Sequence, residues 1–162
     1  MNIIITGPKH CGKSTVIRKL IPMLKGSVSG FISEFDDRAS SSRKLLIRSI
    51  DGSNSQTAVS WHDGAVNINS DCFDEFTPFL ISDSCDFIVI DELGKFEKNS
   101  AALKDAVTAA FDSDAHVIAS IRLDAAGWMQ ELKKREDVIV LNVDNDNRDS
   151  LPGKILSMLS AV

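Results

Sequence analysis

The sequence predicts an α/β fold in three layers: a mostly parallel sheet with helices on both faces and a small antiparallel β insertion. Three observations lead there. Apolar, β-rich runs alternate with runs of helical spacing along the chain. The first such run, Asn2-Ile3-Ile4-Ile5-Thr6, leads through a glycine-bearing turn into a helical pattern. Later, a polar, serine-rich stretch from Asp36 to Ser42 separates two β-rich runs close enough in sequence to pair antiparallel. A length of 162 residues sets the expectation of one domain, 1–162.

Each element has its own warrant. Asn2 to Thr6 is short, apolar and β-branched, as a buried parallel strand is. Ser14 to Ile21 puts Val16, Ile17, Leu20 and Ile21 on one helical face, and Pro22 stops or bends that helix near Ile21. Val28 to Glu34 and Lys44 to Ile50 are strands, the second closed by the turn Asp51-Gly52-Ser53-Asn54. Thr57 to Trp61 pairs locally with them. Asp71 to Ile81 reads as a helix that Pro78 complicates. Asp86 to Ile90 is a strongly apolar buried strand. Asn99 to Asp112 is a helix with alanines through its interior and Asn99 or Ser100 as its cap. His116 to Ile121 is a strand. Ala125 to Arg135 is a helix whose basic last turn suits the helix dipole. Val138 to Val143 is a strand, and Leu151 to Leu159 a closing helix.

Composition narrows the function classes. Apolar content of 43% and charged content of 25% are ordinary for a soluble globular protein. No run of eighteen apolar residues occurs, so no membrane span is expected. The first residues enter a strand directly, without a basic segment, so no secretory signal is expected and the location is cytoplasmic. Cys11, Cys72 and Cys85 are an odd set without metal-like spacing, and read as free thiols of a reducing compartment. A net charge of −5 argues against nonspecific nucleic-acid binding. A monomer is the expected state.

Gly7-Pro8-Lys9-His10-Cys11-Gly12-Lys13-Ser14 fits the phosphate-binding pattern G-x-x-x-x-G-K-[ST] at every fixed position. Gly7 and Gly12 permit close backbone approaches that side chains would block. The loop amides can then turn inward as an anion nest, and the helix that follows adds its positive end. Lys13 brings an ammonium to the β- and γ-phosphates, and Ser14 a hydroxyl to Mg²⁺. A second element suits the same ion. Phe87-Ile88-Val89-Ile90-Asp91-Glu92 is an apolar strand ending in two acids. Asp91, at the C-terminal end of a parallel strand, faces the crevice of the phosphate loop and can hold Mg²⁺. Glu92 can orient and partly deprotonate a water. Glu97 and Lys95 ring the site or lie in a solvated loop. Cys11 and His10 fill permissive loop positions. His62 and His116 are surface or packed residues, Lys133-Lys134-Arg135 a solvated helix end. Trp61 and Trp128 pack, or stack a base.

The chain resembles the small cancer-related nucleoside-triphosphatases, a P-loop family. Gly30-Phe31-Ile32-Ser33-Glu34 is similar to that family's G-F-x-T-E segment, and Asp91-Glu92-Leu93-Gly94-Lys95-Phe96-Glu97 to its D-E-I-G-K-M-E. Arg135-Glu136-Asp137-Val138, Asn142-Val143, Asn147-Arg148-Asp149 and Leu151-Pro152 resemble R-K-D-V, N-V, N-R-N and L-P, in the family's order. The resemblance implies a RecA-like sheet and slow, Mg²⁺-dependent hydrolysis of ATP, GTP and other nucleoside triphosphates. By motif match it implies that Gly7, Pro8, Lys9, His10, Cys11, Gly12, Lys13, Ser14 and Thr15 bind phosphate. Lys13 and Glu92 are then catalytic, and Ser14 and Asp91 bind metal. Asn147 and Arg148 lie near the base or ribose, or start the last helix.

The chain also departs from the family. The family follows G-F-x-T-E with E-V-R and a basic G-R-R-x-G-F. Here stand Phe35-Asp36-Asp37-Arg38, a serine run, and Arg43-Lys44, with no tyrosine anywhere. Two alternatives therefore stay open. One is a nucleotide or small-metabolite kinase, with Arg38, Arg43 and Arg122 as lid charges. The other is a catalytically weak nucleotide-binding adaptor. No Asn-Lys-x-Asp guanine motif occurs, so weak base selectivity is expected.

Overall fold

The structure is a computed structural model that describes residues 1–36, 42–81, 84–94, 97 and 100–161. Most of the serine-rich stretch, including Arg38, lies outside the described residues, as do Lys95 and Asn99.

An eight-stranded sheet forms the middle layer. In chain order its strands are β1 (Asn2–Gly7), β2 (Val28–Phe35), β3 (Arg43–Ser49), β4 (Ser55–His62), β5 (Ala65–Ile68), β6 (Phe87–Leu93), β7 (His116–Arg122) and β8 (Val138–Asn142). They lie side by side as β5-β4-β3-β2-β6-β7-β1-β8. From β2 to β8 the neighbours run parallel. The chain then turns back on itself from β2 through β3 and β4 to β5, each pair antiparallel. The expected antiparallel insertion is thus a continuation of the same sheet. β5 is its fully exposed edge, and the sequence reading had not assigned it as a strand. Its short alternating run gives one face nothing to bury against.

The helices cover both faces. α1 (Lys13–Leu20) and α4 (Leu151–Leu159) share one face; α2 (Ala101–Phe111), α3 (Trp128–Lys133) and the 3₁₀ segment Ser70–Phe79 share the other. Strand alternation sorts the core accordingly. Ile3, Ile5 and Val89 pack under α1 and α4, while Ile4, Ile88 and Ile90 face α2. Both sides are buried, so these strands read as unbroken apolar runs.

Local departures from the sequence reading have physical causes. α1 stops at Leu20 and passes into a 3₁₀ turn, Ile21–Met23, because Pro22 brings no amide hydrogen. Ser70–Phe79 is 3₁₀ rather than α-helical and has Pro78 within it. α2 starts where Ser100 accepts a hydrogen bond from the Leu103 amide at 2.9 Å. α3 begins only at Trp128, since Gly127 before it takes φ 68° and ψ −140°, far from helical values.

The 3₁₀ segment is held by aromatic packing. Phe76 is fully buried, and its ring meets Phe31 edge-on at 5.7 Å. Truncating it leaves a cavity beneath β2. Phe76→Ala is expected to lower unfolding free energy by about 3–5 kcal/mol in urea titrations. A loss within experimental error would show that the 3₁₀ segment does not anchor to the sheet through this ring.

Candidate active site

The phosphate loop leaves β1 at the C-terminal edge of the sheet, and its glycines are sterically required. A Cβ on Gly7 would stand 2.7 Å from the Val143 carbonyl oxygen and 2.7 Å from Cys11 Sγ. Gly12 takes φ 106° and lies under the Arg148 side chain, where a Cβ would collide with its Cδ. His10 also takes a positive φ, 65°. Lys13 is buried, and its Nζ donates to the carbonyl oxygens of Gly7 at 3.1 Å and Pro8 at 2.9 Å. Cys11 Sγ lies 4.0 Å from the same ammonium. Thr15 and Lys9 are exposed at the mouth of the loop.

β6 delivers the two acids next to this loop, although β7 separates it from β1. Asp91 is fully buried. Its Oδ1 accepts from Ser14 Oγ at 3.1 Å and from Ser120 Oγ at 2.8 Å. Its Oδ2 is buried and has no hydrogen-bond partner among the described residues. Burial pushes the carboxyl up to about 6. The Ser120 hydrogen bond opposes the rise, the charge of Glu92 adds to it, and the Ser14 hydrogen bond opposes it again. Ser33 Oγ, from β2, donates to the Asp91 backbone oxygen at 2.8 Å. An orphaned carboxylate oxygen beside a serine hydroxyl fits a hard divalent cation, which takes oxygen ligands.

Glu92 owes its position to a break in the ladder. β6 pairs with β7 as Ile90 to Ala119, then as Leu93 to Ile121, so one extra residue is inserted between those pairs. Glu92 takes φ 76° there, a left-handed conformation that costs a non-glycine residue roughly 1–3 kcal/mol. The bulge turns Glu92 into the cleft, a cavity of about 660 Å³ that Lys13 and Ser14 also line. The strand ends in the two acids as the sequence reading had it, and runs one residue further, to Leu93. Glu97 is buried, and its Oε2 accepts from the Gly94 amide at 2.9 Å, tying down the chain after the bulge.

Other charges gather around the acids. Arg122, at the end of β7, lines the cleft and lies against Gly94, where a Cβ would come within 2.7 Å of Arg122 Cδ. Its guanidinium grips Asp124 in two bonds of 3.0 and 2.8 Å. Lys133 is no solvated helix end: its Nζ donates to the Arg122 carbonyl oxygen at 2.6 Å. Arg148 lines the cleft beside Gly12, but Asn147 does not line it. The Asn147 side chain accepts from the Asp144 amide at 3.1 Å and donates to the Asn142 carbonyl oxygen at 2.8 Å, so it shapes the turn before α4. Trp61 lines the cleft with Phe35 and Arg43, whereas Trp128 packs against the core. His62 and Asp63 pair on the surface at 3.2 Å. His116 sits at the opposite end of the sheet, 3.0 Å from the N-terminal ammonium.

The cleft is therefore a cationic basin, formed by Lys9, Lys13, Arg43, Arg122 and Arg148, with Glu92 and Glu97 set into it. It can concentrate a polyanion against a helix N-terminus, and its acids can hold a cation and accept a proton.

Comparisons with known proteins agree with that chemistry. The sequence model of the family described as NTPase matches residues 2–156. The nucleoside-triphosphatase THEP1 of Thermotoga maritima is 30% identical over 167 residues, covering 98% of this chain and 95% of that protein. The one from Methanothermobacter thermautotrophicus is 31% identical over 179 residues, with 98% and 96% covered. The crystal structure of THEP1 from the hyperthermophile Aquifex aeolicus matches with a TM-score of 0.81 at 26% identity, over 98% of this chain and 99% of that one. The solution structure of a human cancer-related nucleoside triphosphatase matches with a TM-score of 0.82 at 24% identity, over 99% and 97%, and so shares the fold.

Asp91 gives the stability of the metal-free chain a definite pH dependence. Its carboxyl titrates from 3.8 in the unfolded chain to about 6 in the folded one. Below the lower value both states hold the proton, and nothing is lost. Between the two values the unfolded chain ionises while the folded chain keeps its proton, so stability falls as pH rises and levels off above the upper value. Asp91→Asn cannot ionise. In metal-free buffer it is expected to unfold at a higher urea midpoint than the wild type at about pH 7, with the advantage shrinking to nothing by about pH 4. A midpoint difference that does not change with pH would show that folding does not raise the Asp91 carboxyl.

Proposed function

The chain belongs to the NTPase family of nucleoside-triphosphatases, and we propose that it hydrolyses ATP, GTP and other nucleoside triphosphates to the diphosphate and phosphate, with Mg²⁺ and little base selectivity. The observation that carries this reading is the contact of Ser14 with Asp91, which joins the phosphate loop to the acidic strand end 77 residues away.

The loop amides between Gly7 and Thr15 surround the β-phosphate, supported by the positive end of α1. Lys13 exchanges its carbonyl partners for β- and γ-phosphate oxygens, which offer full negative charge in place of two dipoles. Ser14 and Asp91 are the residues that would hold Mg²⁺, which would supply charge neutralisation to the triphosphate. Ionised Asp91 is the form that binds metal, so metal affinity falls as pH drops below about 6. Glu92 orients the attacking water and takes its proton. Arg122 leaves the exposed Asp124 carboxylate for the transferring phosphoryl group, where the charge is larger. Arg148 borders the nucleoside end across Gly12. Asn147 acts there through the turn that presents Arg148.

Weak base selectivity fits a cleft in which the grip falls on phosphates. The same reading takes the chain as one unit, a cytoplasmic monomer that binds neither membrane nor nucleic acid. Among the described residues no helix is long and apolar enough to cross a membrane.

Phosphate release measured over four nucleoside triphosphates with Mg²⁺ tests the proposal, with Lys13→Ala as the control that abolishes it. Glu92→Gln is expected to bind nucleotide as the wild type does and to lose turnover by roughly 10²–10⁴-fold. Undiminished turnover in that variant would remove Glu92 from its role. Arg122→Ala is expected to lower kcat by roughly 10³-fold with a smaller change in KM, as loss of a phosphoryl-contacting arginine does. A rise in KM with kcat unchanged would make Arg122 a simple binding residue.

A further inference from the structure

The cleft extends well beyond the phosphate loop and Glu92. It runs on across the C-terminal end of β2 and onto the antiparallel strands, where Phe35, Arg43, Leu45 and Trp61 line it. Arg43 on β3 stands opposite Trp61 on β4 in register. Its guanidinium lies 4.9 Å from the Trp61 ring centre and 5.8 Å from that of Phe35. The two rings lie 5.7 Å apart. Water, the only co-substrate of hydrolysis, needs no such wall.

Strand order says where the wall lies relative to a bound triphosphate. Glu92 is on β6, so the γ-phosphate faces β6. Arg148, after β8, flanks the loop on the opposite side of β1. A triphosphate with its γ end at Glu92 sends its nucleoside towards β8. The wall on β2, β3 and β4 is then on the far side of the γ-phosphate, where the acceptor of a phosphoryl group would approach.

We propose that Phe35, Arg43 and Trp61 form a second ligand subsite, which takes a planar aromatic ring bearing a negative charge, the chemistry of a nucleoside monophosphate, beside the γ-phosphate of the bound triphosphate. The inference builds on the proposed placement of that phosphate. An indole face stacks a purine or pyrimidine ring with little dependence on which base it is. A guanidinium stacks in the same layer and still presents N–H donors to a phosphate in the ring plane. Leu45, buried at the base of the wall, supplies an apolar floor.

The test uses AMP and GMP as probes, titrated into the protein already saturated with Mg²⁺ and the non-hydrolysable imido analogue of ATP. Binding is read by equilibrium dialysis of both ligands and by tryptophan fluorescence. The expected result is one monophosphate bound in addition to one analogue, with the indole emission quenched. Trp61→Ala is expected to weaken the monophosphate by about tenfold or more, and Trp61→Phe to keep most of its affinity. Arg43→Gln is expected to weaken AMP but leave adenosine unchanged, which a folding defect would not do. Lys13→Ala is expected to lose the analogue and keep the monophosphate. Displacement of the analogue by AMP, absence of monophosphate binding, or loss of both ligands together in Lys13→Ala would each overturn the subsite. Monophosphate binding that depends on Trp61 in a protein that fails to hold the analogue would uphold the subsite and sink the phosphate-loop reading instead.

Discussion

One buried carboxylate organises this molecule. Asp91 sits at the end of a central strand, out of contact with water, and accepts hydrogen bonds from Ser14 on α1 and Ser120 on β7. Those bonds tie the helix after the phosphate loop to two strands of the sheet. They also leave the group short of partners: the second oxygen has none among the described residues, and burial holds the proton on to about pH 6. An ionisable group so placed costs stability in the metal-free chain. A cation that bound there in the folded state alone would recover that cost.

The same strand carries a second cost. The bulge between Ile90 and Leu93 breaks the ladder to β7 and forces Glu92 into a left-handed backbone. Without it, strict alternation would send the residue after Asp91 to the opposite face of the sheet. With it, Glu92 lines the cleft while Asp91, one residue earlier, meets Ser14, which lines it too. The neighbourhood is built to keep this geometry. Glu97 holds the Gly94 amide, and Ser33 holds the Asp91 carbonyl from the other side. Strain of this kind persists only where surrounding contacts outweigh it.

Sheet order turns these local features into an elongated basin. The phosphate loop after β1, Arg122 after β7 and the acids on β6 stand in a row, with Arg148 at one end and the antiparallel strands at the other. Since β3 and β4 extend the parallel sheet from β2, the row does not stop at the acids of β6. It continues onto Arg43 and Trp61, which face each other only through antiparallel pairing. The parallel part of the sheet thus carries the glycine loop and the acids, and the extension carries the rest of the cleft.

The sequence by itself determined the alternation of strands and helices, the phosphate loop, and the pairing of Asp91 with Ser14. These are legible because they depend on short-range chemistry: glycine at the loop's close approaches, apolar runs where both faces are covered, acids at a strand's end. It also placed the closing helix at its observed bounds, Leu151 to Leu159. It did not reveal β5, an edge strand with no buried face, nor the 3₁₀ form of Ser70–Phe79. It left Asn147 and Arg148 undivided, and only the turn geometry separates them: one side chain is spent on backbone groups, while the other lies over Gly12. The bulge at Glu92, the place of the Arg122–Asp124 pair, and the stacking of Arg43 on Trp61 were likewise decided by tertiary structure. The bulge and the stacking depend on which strand lies beside which, and strand neighbours are fixed by burial across the whole sheet, which no local pattern encodes; the Arg122–Asp124 pair is two residues apart, and what tertiary structure decides is that it lies at the cleft.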